Sequence, residues 1–600
     1  MANPLVDDRD VAFILDDVLD VARLCELPAF ADHTPETFDL VIDSARRLAR
    51  EQLYPTYRAM DQEPPVFDDG RVRVHKALQD LVPRMAELGL ISAIRPEAVG
   101  GMQLPLSVAV AAQAYLMAAN ASAYGYVGLT AGAAHLIEEY GDDDLRALFM
   151  ARMYAGEWLG TMALTEPDAG SSLGDITTSA SPRHDGTYAI RGAKIFISGG
   201  DHQITDNIVH LALARIQGAP AGTRGISLFA VPRLRPEHGD PTALVDNDVR
   251  AAGMVHKIGW KGIPSLVLSL GEGDNCHGWL VGQPGRGLTY MFQMMNEARI
   301  MVGVNGVATA SVAFHESLAY ARERPQGRPP AAKDPTTPQV AIMAHPDVRR
   351  MLLRQKAIVT GGLTLVVAAA RYSDLANHGD TEAQRHDGHV LLDLLTPIAK
   401  SFPAEYGYES NVLAVQVHGG YGYSSEYLPE SWLRDQKLNS IHEGTTGIQS
   451  LDLLGRKVMA DGGAAIVALA AVVERTAERA VAAGVDRRQA TQLRDAMQAV
   501  ATLTTELGQR GAAGDIEGML RHSVDYLDLL SIVVVAWLHL ERAAAARQRA
   551  TRLGSRDGFI EGVLATTDYW FATDLPRVDT LVARIRSGED SFVRMRSEWF

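Results

Sequence analysis

The sequence predicts an α+β protein in which a β domain interrupts two helical blocks and a further helical block follows. Three observations predict it. Apolar residues recur at helical spacing from about residue 37 to residue 154, with Ala, Leu and Met throughout. The period then shortens. YAIRGAKIFIS (188–198), NIVHLALARI (207–216), GISLFAVPR (225–233) and PSLVLSL (264–270) are short, rich in β-branched residues and separated by Gly, Pro, Asn and Asp. Helical spacing resumes at Gly287 and continues to about residue 460.

In chain order, residues 1–36 read as an N-terminal extension, and 37–158 as a helical domain broken by the turn signal at Gly100 and Gly101. Residues 159–282 form the β domain and 283–460 a helical bundle. The bundle is interrupted by RPQGRPPAAKDPTTPQ (324–339), whose prolines predict a surface loop or linker. Residues 461–600 are Ala-rich and read as an additional helical domain with no motif that carries chemistry.

Composition narrows the function. Lys and Arg total 57 against 73 Asp and Glu, a net charge of -16 that repels nucleic acid and anionic membranes. Cys25 and Cys276 are too few for a disulfide framework or a zinc site and read as packing residues; no metal ligands are expected. MANPLVDDRD places acids where an export signal needs positive charge, so a reducing, cytoplasmic setting is expected. The apolar stretches 466–473 and 529–540 fall short of the ~20 residues of a spanning helix and predict buried helices, not a transmembrane segment.

Three local constellations carry chemistry. MALTEPDAGSS (162–172) makes a turn with Thr165 and Ser171 as hydroxyl donors, suited to a flat heteroaromatic ring or a phosphate, or simply to a surface turn. QVHGGYGYSSEYLPESWLRDQK (416–437) has glycines that admit close approach to a ligand. It lacks the third Gly and the preceding strand of a dinucleotide fingerprint, so a nicotinamide site is excluded. In NSIHEGTTGIQSLDLLGRK (439–457), Thr446 and Gln449 form a capping-box pattern that starts a helix near Gly447. Glu443 precedes that start, where a carboxylate is stabilised by the helix dipole.

The ordered set LTEPDAGS, GAKIFIS, the Arg299 helix, YARERPQGR, QVHGGYGYSSEY, LRDQK and HEGTTGIQ resembles the acyl-CoA dehydrogenase family over residues 40–460. The N-terminal extension and the block after 460 are similar to its long bacterial branch, which includes 3-methylmercaptopropionyl-CoA dehydrogenase. The resemblance implies an acyl-CoA dehydrogenase-like fold with a central β-barrel, an FAD cofactor and an acyl-CoA substrate. Glu443 then matches the catalytic base. Leu164, Thr165, Ser171, Phe196, Ser198 and Thr445 match cofactor contacts. Arg324, Gln416, Gly419 and Gly420 match positions that reach the FAD of a neighbouring subunit. Ser171, Arg299 and Gly444 match substrate contacts. An electron-transfer flavoprotein is the implied acceptor, and a homodimer the implied assembly, with residues 461–600 covering the surface that pairs dimers in shorter relatives.

The chain departs from the family pattern at Ser172 of Gly170-Ser171-Ser172, at Ser431 and His442, and in the residue after the basic position of RPQGR. None of these removes a group that the chemistry requires. Desaturating a thioester means taking a weakly acidic α-proton while the β-hydrogen leaves as hydride, which needs a base of raised pKa and hydrogen bonds to the thioester oxygen. The resemblance assigns one of those bonds to the backbone N–H of Glu443. Some relatives carry the base just before the position of Arg299; here that residue is Ala298. Glu297 lies one step earlier, rotated ~100° around the helix, and reads as a solvated or ion-paired acid. The alternatives are a flavin oxidase or monooxygenase on the same fold, which the acid of HEGT argues against, and a non-catalytic scaffold.

Overall fold

The computed structural model describes residues 3–600 apart from His238, Pro330 and Lys333, and omits the side chains of Gln293, Met294 and Met295. The chain divides into two compact units. One comprises Asp43–Leu104 and Tyr115–Ala298, the other Met1–Ile42, Pro105–Ala114 and Arg299–Phe600.

The first unit opens with helices and one small hairpin, β1 (Val66–Asp68) against β2 (Arg71–Arg73). This corrects the wholly helical reading of that block. Asp69 and Gly70 both take positive φ, 49° and 70°, which the Asp-Gly pair tolerates at a tight hairpin turn. The sheet that follows contains β3 (Trp158–Ala163), β4 (Ser179–Pro182), β5 (Tyr188–Ser198), β6 (Asn207–Ile216) and β7 (Ile226–Pro232). After the separate pair β8 (Leu234–Glu237) and β9 (Asp240–Asp246), it is completed by β10 (Val249–Met254), β11 (Ser265–Leu270) and β12 (His277–Val281).

Pairing runs β10-β11-β5-β12-β7-β6-β3, and β4 bonds to both β5 and β6. The path β5-β12-β7-β6-β4 therefore returns to β5, a closed circuit that leaves none of those five strands a free edge. β5 serves both ends of the sheet because it is long. Its first half pairs with β4 and β12, and Gly192–Ser198 pairs with β11. β7 is buried along its whole length, and apart from Ser227 every residue in it is apolar, as burial on both faces requires.

The second unit is helical. Pro346–His378 and Glu382–His418 lie against each other, the latter opened by a capping box in which Thr381 and Gln384 satisfy each other's backbone. Pro403 inside that helix has no N–H for the Ala399 carbonyl. Gly303 of the Gly287–Glu323 helix faces that carbonyl, where a Cβ would come within 2.0 Å of the oxygen. The two helices meet closely there, one residue before Lys400.

The Pro-rich insertion is anchored at its base, where Gln326 N donates to Val340 O and Val340 N donates to Gly327 O at 2.9 and 3.1 Å. Its Pro330 and Lys333 lie outside the described residues.

After residue 460 come helices Ala464–Ala482, Arg487–Ala512, Ser523–Leu553, Gly558–Thr573 and Arg577–Ser587. The N-terminal extension packs on them: Phe13 meets Phe559 edge-on at 5.3 Å, Asp10 pairs with Arg542 in the interior, and Asp17 pairs with Arg549 and Arg552. Helices Leu106–Tyr140, Pro346–His378 and Ser523–Leu553 are long and apolar enough to span a bilayer, which the short apolar stretches of the sequence do not suggest. Their most apolar windows are 89%, 89% and 100% buried inside the protein.

Candidate functional site

The Glu443 loop joins the short turn Leu438–Ser440 to the helix Thr446–Asp452. The cap of that helix is Thr445, whose Oγ1 accepts from Ile448 N at 3.2 Å, and not Thr446 as the capping-box pattern predicts. Thr446 instead donates its hydroxyl to Glu405. Gln449 reaches back, but as a donor to carbonyls and across six and five residues in place of the three of a capping box: its Nε2 donates to Glu443 O at 2.9 Å and to Gly444 O at 3.4 Å.

Two successive residues here are left-handed, Glu443 at φ 53° and Gly444 at φ 85°. Glycine takes that shape freely, whereas for glutamate it costs roughly 1–2 kcal/mol. Residues held in such sparsely populated conformations cluster at functional sites, though turns such as Asp69-Gly70 also use them. The carbonyls of both residues are tied down, Gly444 O also accepting from Lys400 Nζ at 2.8 Å. Among the described residues the Glu443 N–H meets no protein acceptor, and its carboxylate makes no hydrogen bond or ion pair.

Glu443 is exposed to solvent by surface area, yet surrounding protein crowds and partly desolvates its carboxylate. That crowding raises its pKa above the ordinary carboxyl value, against the opposing pull of Lys400 and then Arg299. Arg299 is itself engaged, its Nη1 donating to Asp452 at 2.7 Å, while its buried Nε has no partner.

In the other unit, Leu164 and Thr165 follow β3, and Ile195 N on β5 donates to Thr165 O at 2.9 Å. Glu166 beneath them is 4% exposed and accepts from Thr177 N at 2.6 Å, Thr177 Oγ1 at 2.8 Å, Thr178 N at 3.0 Å and Lys194 Nζ at 2.8 Å. Lys194 Nζ also donates to Leu164 O at 3.1 Å. The loop is pinned from within, leaving Ser171 exposed on its outer arm. Phe196, near the end of β5, is the second strained residue of interest: it takes φ 61° and is 60% exposed, an aromatic face held outward. Ser198, two residues on, is half-buried and pairs with Ser265.

A third feature is a cavity of about 680 Å³ lined by Arg324, Tyr320, His418, Gly419, Gly420 and Tyr421 among others. Tyr320 stacks on His418 at 4.4 Å, and Arg324 lies over the Tyr421 ring at 5.5 Å. A Cβ added at Gly419 or Gly420 would meet nothing within 4 Å, so the backbone stands open to the cavity. Aromatic faces, a guanidinium and bare backbone suit a nucleotide with a diphosphate. Gln416, on the last turn of the same helix, is exposed but outside the lining.

Glu297, the alternative base, is ion-paired with His135 at 3.6 Å and Arg95 at 3.8 Å. Burial raises its pKa, but His135 and Arg95 prevail and the net shift is downward, the wrong direction for a base at neutral pH.

Sequence reasoning missed Lys400, Glu166, Lys194 and Gln449 as supports. Glu166 and Lys194 lie in the LTEPDAGS and GAKIFIS segments and Gln449 in the capping-box pattern, whereas Lys400 carried no signal. Among the described residues no group of three or more His, Cys, Asp or Glu gathers to hold a metal ion.

Comparison with known proteins matches four sequence families in series. Residues 35–157 match the acyl-CoA dehydrogenase N-terminal domain, 161–270 its middle domain, 285–459 its C-terminal domain, and 468–596 the acetyl-CoA dehydrogenase C-terminal like family. The chain is 36% identical to 3-methylmercaptopropionyl-CoA dehydrogenase of Ruegeria pomeroyi over 588 residues, 98% of both chains. It is 31% identical to a butyryl-CoA dehydrogenase of Syntrophomonas wolfei, across 100% of this chain and 99% of the relative. The solved acyl-CoA dehydrogenase of Bacillus anthracis complexed with FAD superposes with a TM-score of 0.73 at 19% identity, covering 99% of this chain and 93% of the other.

Proposed function

The chain belongs to the acyl-CoA dehydrogenase family, and from that premise we propose that it converts an acyl-CoA thioester to the 2-enoyl thioester with Glu443 as the base. The observation that carries the reading is the Glu443 loop: a strained carboxylate of raised pKa whose side chain and backbone N–H are both free of protein partners. Ionised, the carboxylate takes the α-proton onto an oxygen, and its raised pKa brings it closer to the weak acid it must deprotonate. The N–H of the same residue donates to the thioester oxygen and stabilises the charge that forms there. Gly444 adds no side chain beside the carboxylate, which leaves room for the acyl chain.

The cofactor is FAD. When bound, it supplies the oxidised N5 that accepts the β-hydride. The residues fit it: Leu164, Thr165, Ser171, Phe196, Ser198 and Thr445 offer backbone, hydroxyl and aromatic contacts, and the 680 Å³ cavity offers Arg324 beside bare glycine backbone. That cavity receives the FAD of a neighbouring subunit in a homodimer, with Gln416 at its rim, and an electron-transfer flavoprotein reoxidises the cofactor. Arg299, whose Nη1 Asp452 holds while its Nε has no partner among the described residues, is assigned to the substrate side of the site, and its charge also acts on Glu443.

The test is product formation from a panel of acyl-CoA thioesters, straight-chain and methylthio, with an artificial electron acceptor and parallel oxygen measurement. The flavin released on denaturation is identified in the same preparation. Enoyl-CoA formation without stoichiometric oxygen uptake is the expected result. Product-linked oxygen uptake makes the protein an oxidase; FMN, or no flavin after reconstitution, defeats the cofactor reading.

A further inference from the structure

Lys400 lies in the Glu382–His418 helix and is fully buried, yet among the described residues no carboxylate comes within ion-pair distance of its ammonium. Its one hydrogen bond is to Gly444 O at 2.8 Å. A buried ammonium is costly unless paired, and an apolar side chain of the same length would pack there without that cost. The charge is therefore retained for something other than packing. What it touches is the backbone of the strained loop, one peptide from Glu443.

Resting on the reading of Glu443 as the base, we propose that Lys400 is its positioning residue, anchoring the Gly444 carbonyl and holding a positive charge one peptide from the base. The anchoring follows from geometry. Lys400 and Gln449, from two different helices, hold the carbonyls of two successive left-handed residues. With those carbonyls fixed, the Glu443 N–H and carboxylate are presented away from protein partners. A Cβ at Gly444 would stand 2.7 Å from Gln449 Nε2, so a side chain there would displace the clamp as well as strain a backbone at φ 85°.

The electrostatic part follows from what surrounds the carboxylate. Burial raises it, and Lys400 is the first opposing charge, followed by Arg299 from the Gly287–Glu323 helix. Arg299 is already shared with Asp452 of the Thr446–Asp452 helix. His442, beside the base, is held neutral by burial and by Lys400, its pKa pushed down to about 3. Lys400 itself is brought down to about 8 by burial and by Arg299, with Glu405 and Glu443 opposing, so it remains charged at neutral pH. Removing its charge leaves Arg299 alone to offset burial. The Glu443 pKa then rises further, and the acid limb of the rate profile moves to higher pH.

The experiment measures the anaerobic rate of flavin reduction by saturating acyl-CoA across pH in the parent, Lys400→Met, Lys400→Gln and Glu443→Gln, with flavin content checked by absorbance. Both neutral side chains fit the space of lysine. The expected result is an acid limb displaced upward by about one pH unit in both Lys400 variants, about a tenfold loss of rate below the limb, with KM for the thioester changed far less than kcat. Flavin-loaded Lys400 variants that keep the parent's limb and rate overturn the proposal, as does failure of both variants to retain flavin, which makes Lys400 a folding residue. Reduction that survives in Glu443→Gln instead sinks the base reading on which the proposal stands.

Discussion

Lys194 and Glu166 meet at 2.8 Å inside the β domain, and the same ammonium donates to the Leu164 carbonyl, so one buried ion pair supports the loop assigned to the cofactor. Breaking such a pair by removing one charge typically costs about 3–5 kcal/mol. Glu166→Gln is therefore expected to lower thermal stability by that order and to reduce flavin content, read by calorimetry and by absorbance of the purified protein. Unchanged stability and flavin would refute the support role.

The same pair sets an acid-stability signature. Burial raises the Glu166 pKa, but Lys194, Thr178 and Thr177 bring it down to about 2, below its ordinary value of 4.5. Burial also pushes Lys194 down, but four donors converging on Glu166 make the carboxylate's direction the one that governs. A carboxyl depressed on folding stabilises above its unfolded pKa and loses that contribution as pH falls from 4.5 towards 2. In urea titrations the stability gap between parent and Glu166→Gln should narrow on going from pH 6 to pH 3.

Glu443→Gln should abolish acyl-CoA oxidation with FAD still bound. The amide keeps the backbone N–H and the side-chain shape but cannot take the α-proton, and loss of a general base is typically worth about 100-fold to 10,000-fold. Were Glu443 only a partner of the helix dipole, the change would cost roughly 0.3–1 kcal/mol of stability and spare turnover. Anaerobic bleaching of the flavin by substrate separates the two outcomes.

The parent's rate should fall on the acid side through a pKa above the ordinary carboxyl value, because burial favours the protonated, inactive form of Glu443. The pH dependence of flavin reduction gives the limb directly. A limb at or below 4.5 would contradict the burial argument.

Arg324→Ala should lower flavin affinity without altering the Glu443 loop, since Arg324 faces the cavity beside Gly419 and Gly420. If that cavity serves a neighbouring subunit, sedimentation at falling protein concentration should show flavin and dimer lost together. A monomer that retains full flavin contradicts the shared site.

Much of this was legible in the sequence, for identifiable reasons. The switch from helical to strand period is a local property, and β5, β6, β7 and β11 lie within a residue or so of where YAIRGAKIFIS, NIVHLALARI, GISLFAVPR and PSLVLSL place them. The hairpin at Asp69-Gly70 was missed because two three-residue strands carry too little pattern against the surrounding helices. Glu443 could be singled out because it adjoins a helix start, but the cap lies one residue earlier than the pattern predicts, at Thr445 in place of Thr446, since two adjacent threonines offer the same hydroxyl. What could not be read is what holds the loop: Lys400 is 44 positions from Gly444, and Lys194 is 28 from Glu166. Long-range donors leave no periodic trace.

The pairing of Asp10 with Arg542 has a consequence for biosynthesis. The two residues lie 532 positions apart. At roughly 5–20 residues per second, a ribosome takes on the order of half a minute to two minutes to travel from one to the other. For that interval Phe13, fully buried in the finished protein, lacks the Phe559 ring and the Arg542 guanidinium that it packs on. The segment around Asp10 is thus made long before the partner that pairs with it in the interior.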